Sequence, residues 1–170
     1  MANALKVNNL STEKPNTGLT EEQRAGVTEA LNTLLADELV LYVKTRKFHW
    51  NIKGPRFHDL HVFFEKQYEE LDELMDEVAE SARQFGGNAL GTLKEAIGRT
   101  RLKEAPESIP NEDGMLKELL EDHENIMRHL REDIRKATDE LQADDAADFM
   151  TAVLEAHGKM AWMLRAHLPS

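Results

Sequence analysis

The chain has 170 residues, of which 41% are hydrophobic, and its formal net charge is -11. A chain of this length suits one domain with a substantial core, whereas the charge disfavours nonspecific binding to nucleic acid or to an anionic membrane. The absence of cysteine excludes disulfides, thiolate zinc sites and thiol nucleophiles. With no signal-peptide pattern and no apolar stretch long enough to span a bilayer, we expect a soluble, cytoplasmic protein.

The beginning of the chain has the composition of a tail. Residues 1–19 are polar, rich in Asn, Thr and Ser, and contain Pro15 and Gly18. Such a segment lacks the apolar residues needed for a core, so it predicts a flexible tail followed by one domain over residues 20–170.

Two helices are predicted in the first half of the domain. Thr20 and Gln23 form a capping-box pattern that starts a helix running to about Trp50. After the Gly54-Pro55 break, apolar residues with three-and-four spacing predict a second helix over about 58–85, which Gly86-Gly87 ends. The short connection predicts an antiparallel hairpin.

The second half predicts two more long helices. A linker of residues 86–111, with a short helix around Leu93 to Ile97, precedes a third helix from about Glu112 and a fourth from about Asp144 to His167. Connections that are short, long and short match an all-α, ferritin-like four-helix bundle with one long crossover.

The second helix carries two pairs of metal-ligand side chains. His61 and Glu65 are one turn apart near its start, and Asp76 and Glu80 are one turn apart near its end. At 1.5 Å per residue the pairs are separated by roughly 22 Å, so one metal ion cannot touch both. If they serve one site, the second pair comes from another chain whose helix runs antiparallel across a two-fold axis. Each carboxylate taken alone also fits a solvated acidic flank.

The residue types in these pairs limit the chemistry. No His follows any Glu at the third position, so the Glu-x-x-His centre inside a bundle is not predicted. A mixed set of His and carboxylate suits Fe(II), Mn(II) or Zn(II), and few protein ligands leave open coordination positions for an oxidant. Five residues are candidate ligands: His49, His61, Glu65, Asp76 and Glu80. His49, near the edge of an apolar face, also fits a packed, hydrogen-bonded residue.

These spacings resemble the Dps family of miniferritins, the DNA-binding proteins from starved cells. The resemblance lies in His49-Trp50 at the end of the first helix, His61 twelve residues later, the acid Glu65 four beyond it, and Asp76 with Glu80. It covers residues from about 20 to 168 and includes the segments KGPRFHDLH and WMLRAHL.

The resemblance implies a hollow shell of twelve subunits with two-iron ferroxidase centres at two-fold interfaces. There His49, His61 and Glu65 of one subunit would face Asp76 and Glu80 of its mate. The implied oxidoreductase oxidises Fe(II), preferably with hydrogen peroxide, stores ferric mineral and protects against oxidative stress. It needs no catalytic residue beyond the metal ligands and no organic cofactor, and zinc or manganese can substitute for iron. Glu65 departs from the Asp typical of the family, which affects metal spacing and affinity.

Other polar and aromatic residues have two interpretations each. Asp144 and Asp148 could line a three-fold cation pore like those of the family, or cap the last helix. Trp50 and Trp162 could trap stray oxidising equivalents beside the iron, or simply pack. The remaining histidines show no shared register and are interpreted as surface or packing residues: His58, His123, His129, His157 and His167.

Two other functions fit parts of the sequence. One is a nucleoid protein that compacts DNA with little ferroxidase role, although the negative charge and the weakly basic tail make DNA binding weak. The other is a structural helical oligomer in which the His and acidic residues form interface salt bridges.

Overall fold

The computed structural model describes residues 14–104 and 109–169, which form five α-helices. The predicted all-α class is confirmed, with four long helices and a short one in the crossover. Residues 1–13 of the predicted tail lie outside the described residues, and Pro15 lies against Gly86. In chain order the helices are α1 Glu21–Asn51, α2 Phe57–Gln84, α3 Leu93–Arg99, α4 Glu112–Asp139 and α5 Asp144–Ala166.

The ends of α1 and α2 follow from local capping chemistry. The Thr20 side chain accepts a hydrogen bond from the Gln23 backbone N–H, and the Gln23 side chain accepts one from the Thr20 backbone N–H. At the end of α2, Gly86 has a φ of 81°, a left-handed conformation that glycine adopts without steric cost. The backbone N–H of Gly87 then donates to the Ala82 carbonyl, which closes the last turn.

Two helical hairpins form the bundle. Helix α1 packs along α2 and α4 packs along α5, while α1 also contacts α4 and the crossover helix α3. No described helix is long and apolar enough to cross a membrane. The bundle buries one apolar core, whose largest fully buried side chains are Phe48, Phe64, Leu31, Leu34, Leu41, Leu60, Leu71, Met115, Leu116, Leu119, Ile126 and Leu130.

Polar side chains buried on α1 hold the crossover in place. Asn32 donates to the Asn88 carbonyl and accepts from the Leu90 backbone N–H. One turn further on, the buried Asp37 carboxylate accepts from the backbone N–H of Arg101 at 2.6 Å and from its guanidinium at 2.7 Å. The same guanidinium reaches Asp133 of α4 at 2.8 Å. The crossover is therefore fixed to both hairpins by ionic hydrogen bonds with little exposure.

The close approach of the end of α2 to α1 gives a first testable prediction. A Cβ on Gly87 would overlap the buried Thr28 methyl and lie 2.6 Å from its hydroxyl oxygen. We expect Gly87→Ala to lower the free energy of unfolding by about 1–3 kcal/mol through overpacking. Gly98, in α3, has no atom within 4 Å of such a Cβ, so Gly98→Ala is expected to raise it by about 0.5–1 kcal/mol. Chemical denaturation measures both, and equal shifts would contradict the packing argument.

Candidate metal centre

Two histidines meet where α1 ends and α2 begins. The rings of His49 and His61 stack with centroids 3.8 Å apart and an interplanar angle of 21°. The His49 Nδ1 lies 2.8 Å from the His61 carbonyl oxygen, and the His61 Nδ1 lies 2.9 Å from the His49 carbonyl oxygen. Phe57 stacks against His61 at 5.1 Å, so that ring has an aromatic neighbour on each side.

The reciprocal hydrogen bonds determine the tautomer of both rings. A carbonyl oxygen can only accept, so each Nδ1 must carry the proton and donate it. In a neutral imidazole the other nitrogen, Nε2, then keeps its lone pair. A backbone carbonyl that orients an imidazole through one nitrogen and leaves the other for a metal ion is the usual arrangement of metal-binding histidines. His49 and His61 are therefore oriented as a pair of potential ligands.

Glu65 joins this cluster through a tyrosine. The Tyr68 hydroxyl donates to Glu65 Oε1 at 3.3 Å, and the Tyr68 ring lies edge-on to His49 with centroids 5.2 Å apart. Burial, together with the negative charge of Glu65, raises the pKa of Tyr68. The phenol therefore stays protonated at neutral pH and donates to the Glu65 carboxylate.

An arginine and its aromatic neighbours extend the cluster. The Arg46 guanidinium donates to the Tyr42 hydroxyl at 2.8 Å and lies over the Tyr68 ring at 4.4 Å and the Trp50 ring at 5.4 Å. Sequence analysis did not single out Tyr68, Tyr42 or Arg46. The available signal was helical spacing, because Tyr68 follows His61 by seven residues and Glu65 by three, which places all three on one face of α2.

Asp76 and Glu80 lie elsewhere on the molecule. Both are exposed on the second half of α2. Asp76 borders an open hollow of about 520 Å³ that Leu35, Leu39 and Leu90 also line. Across the described residues, 14–104 and 109–169, no three His, Asp or Glu side chains are grouped so that one chain could hold a metal ion. His49, His61 and Glu65 therefore do not converge with the two distal acids within one subunit.

The other residues singled out from the sequence differ in how exposed their side chains are. Asp144 and Asp148 are exposed at the start of α5, and the Trp50 and Trp162 side chains are 66% and 63% exposed. His58 is exposed, His129 and His167 are half-buried, and His123 and His157 are fully buried. The last two are in contact with each other, although the sequence showed no shared register between them.

Comparison with known proteins places this architecture in the ferritin-like class, since the ferritin-like domain family matches residues 28–169. Within that class the chain belongs to the Dps family. It is 38% identical over 144 residues to the DNA protection during starvation protein of Helicobacter pylori, covering 82% of this chain and 96% of that protein.

Two further similarities agree with that assignment. A low temperature-induced protein of Nostoc sp. PCC 7120 is 42% identical over 153 residues, which cover 90% of this chain and 86% of the relative. The solved structure of DpsC from Streptomyces coelicolor superposes with a TM-score of 0.89 at 30% identity, covering 95% of this chain and 93% of DpsC. The resemblance stated from the histidine and acid spacings is thus confirmed at the level of the family.

Proposed function

We propose that this protein is a ferroxidase and iron store, which oxidises Fe(II) with hydrogen peroxide and deposits ferric mineral inside a shell of twelve subunits. Iron is the substrate, and each centre handles two ions. The proposed ligands are His49, His61 and Glu65 of one subunit with Asp76 and Glu80 of its mate. Zinc and manganese would compete for the same donors.

The observation that carries the proposal is the arrangement of donors on α2. One end presents two oriented imidazoles with a carboxylate held by Tyr68, and the other end presents two exposed carboxylates. A two-fold axis that lays two copies of α2 antiparallel brings unlike ends together twice, and so forms two equal centres. The hollow beside Asp76, which leucines and the acids Asp72 and Glu73 also line, offers space for the opposing histidine end.

The proposed chemistry needs no protein nucleophile. Two Fe(II) ions each give one electron to one peroxide, whose O–O bond breaks, and two protons complete two water molecules. Because both electrons arrive together, hydroxyl radical is not released. The protein contributes ligands, open coordination positions and a negative field that concentrates cations, since every subunit carries a charge of -11.

The first test combines assembly mass with oxidant preference. We expect a native mass of twelve times the 19.4 kDa subunit. We also expect anaerobic Fe(II) loading followed by stopped-flow mixing to give faster oxidation with peroxide than with oxygen, at about two Fe(II) per peroxide. A monomeric protein, or oxidation no faster than in buffer, would contradict the proposal.

DNA compaction is the competing function. The net charge of -11 opposes the phosphate backbone, so we expect no shift of plasmid DNA in a gel at neutral pH and physiological salt. A shift that weakens as salt increases would support the nucleoid role. The peroxide assay would then decide whether the two activities coexist.

A further inference from the structure

A chain of three buried ionisable side chains crosses the centre of the bundle, apart from the candidate metal centre. Glu38 of α1, His123 of α4 and His157 of α5 are each fully buried. The His157 Nε2 lies 2.6 Å from Glu38 Oε1, and the His157 Nδ1 lies 2.8 Å from the His123 Nδ1. The contact between Glu38 and His157 links the α1/α2 hairpin to the α4/α5 hairpin.

Each of these two contacts requires one proton. If His157 carries a proton on both nitrogens, it donates to Glu38 on one side and to His123 on the other. His123 is then neutral, with its proton on Nε2, and the three groups together carry no net charge. This state satisfies both contacts and leaves the interior without an uncompensated charge, which burial strongly favours.

Buried polar atoms that lack a hydrogen-bond partner agree with this assignment of the protons. Glu38 Oε2, His123 Nε2 and Gln67 Oε1 are buried without a hydrogen-bond partner in the described part of the chain. The contacts of His49 with His61 and of Lys44 with Asp122 set the register of α2 and α4 against α1. By that register Gln67 and His123 both lie level with residue 43 of α1. Gln67 Oε1 is therefore a buried acceptor at the level of the protonated His123 Nε2, and one buried water would bridge the two.

The geometry does not suit a metal ion. The Glu38 carboxylate contacts Nε2 of His157, whereas His123 contacts its Nδ1, so the carboxylate and the second imidazole lie on opposite sides of one ring. Three donors on one ion would have to converge, and the described residues contain no such group. Each of these contacts is therefore a hydrogen bond that contains a proton, and the three side chains do not form a metal site.

The charged side chains around the Glu38–His157–His123 chain form ion pairs with other residues. On α1, Asp37 is held by Arg101, and Lys44 is paired with Asp122, the residue next to His123 on α4. From α2 the buried polar group at this level is the uncharged Gln67. These pairs leave neither Asp37 nor Asp122 free to balance a second positive charge on the two imidazoles.

We propose that the Glu38–His157–His123 chain is an acid-sensitive latch that ties α5 to α1 and α4, which holds while the two imidazoles share one positive charge and opens when a second proton arrives. With two charged imidazoles, an N–H would face an N–H where the hydrogen bond had been. Two like charges would then lie side by side in the core. Separation of α5 from α1 and α4 relieves both costs.

The direction of the titration agrees with this geometry. Burial, and then the charge of His157, lower the pKa of His123 well below its ordinary value of 6.5. In the unfolded chain His123 takes up a proton below about pH 6.5, whereas the folded protein excludes it. The unfolded state thus binds more protons, so stability falls as pH falls from about 6.5 towards the folded pKa, about tenfold in the unfolding equilibrium per pH unit.

The test compares the pH dependence of stability in metal-free protein. Apparent unfolding would be followed by circular dichroism between about pH 7.5 and pH 4.5. We expect His123→Phe, which keeps the ring volume and removes the second site of protonation, to lose this slope and to shift the acid midpoint down by about one pH unit. His129→Gln is the matched control, because His129 also lies on α4 but is half-buried beside Glu132. It should keep the slope of the unsubstituted protein.

A second measurement does not depend on any variant folding. Hydrogen exchange at the imidazole C2 position, read by mass spectrometry on the unsubstituted protein, reports the pKa and accessibility of each histidine. We expect His123 to exchange slowly and to titrate well below the ordinary histidine pKa of 6.5. Three results would overturn the latch: an unchanged acid slope in His123→Phe, ordinary titration of His123, or zinc bound at His123 and His157 in a protein that also carries Asp76→Ala.

Discussion

Co-assembly of His61→Ala and Asp76→Ala chains in equal amounts is expected to restore about a quarter of the wild-type rate of Fe(II) oxidation by peroxide, although each variant alone should lose most of that rate. In a mixed dimer one proposed centre receives the intact histidine of one chain and the intact acid of the other. The second centre of the same dimer receives both defects. Random pairing makes about half of the dimers mixed, with half of their centres complete.

The result separates a centre shared between subunits from one within a subunit. Each single variant removes a proposed ligand from every centre, so we expect the rate of Fe(II) oxidation to fall by about tenfold to hundredfold. Glu77→Ala is the matched control for Asp76→Ala, because Glu77 is an exposed acid on the same helix that does not line the hollow beside Asp76, and it should retain the full rate. Stopped-flow absorbance of ferric product measures the wild type, both single variants, their mixture and the control. A mixture as inactive as its components would refute the shared centre.

The Asp122→Leu substitution is expected to destabilise the fold more than any other single change considered. Asp122 Oδ2 lies 2.5 Å from the Lys44 ammonium, and both side chains are more than nine-tenths buried. Without its partner the ammonium keeps one hydrogen bond, to the Lys103 carbonyl, and becomes an uncompensated buried charge. Breaking such a pair costs about 3–5 kcal/mol of unfolding free energy.

The double variant Lys44→Met with Asp122→Leu tests the cause of that loss. Replacing both charges by apolar side chains removes the unpaired ion, so most of the lost stability should return. Glu124→Leu is the control on the same helix, since Glu124 forms an exposed ion pair with Arg165 and should cost less than about 1 kcal/mol. Denaturant titration of the unsubstituted protein, both single variants, Lys44→Met and Asp122→Leu, and the double variant gives the coupling energy. A double variant as unstable as Asp122→Leu would show that the ion pair itself stabilises the fold.

The helices were predictable because their ends carry local signals. Thr20 with Gln23 started α1 as expected, and Gly86-Gly87 ended α2 within a residue or two. Apolar spacing also placed the core correctly, although Met75, which continues the apolar spacing of α2, is only partly buried. These features depend on interactions within one turn of helix, which a sequence displays directly.

The contacts between helices were not predictable in the same way. That His49 and His61 stack and exchange carbonyl hydrogen bonds depends on how α1 and α2 rotate against each other. His123 and His157 are 34 residues apart on different helices, so their contact needed the register of α4 against α5. A signal existed, because each His continues an apolar stripe: His123 lies three residues before Ile126, and His157 four after Val153.

The paired imidazoles at the α1–α2 corner have a consequence for when iron chemistry can start. Their orientation is set by main-chain oxygens of the same subunit, so this half of each proposed centre is preorganised as soon as the chain folds. The complementary acids arrive only with a second subunit. A newly made, solitary polypeptide would thus be unable to couple iron to peroxide, and the reaction would begin only after two subunits have paired.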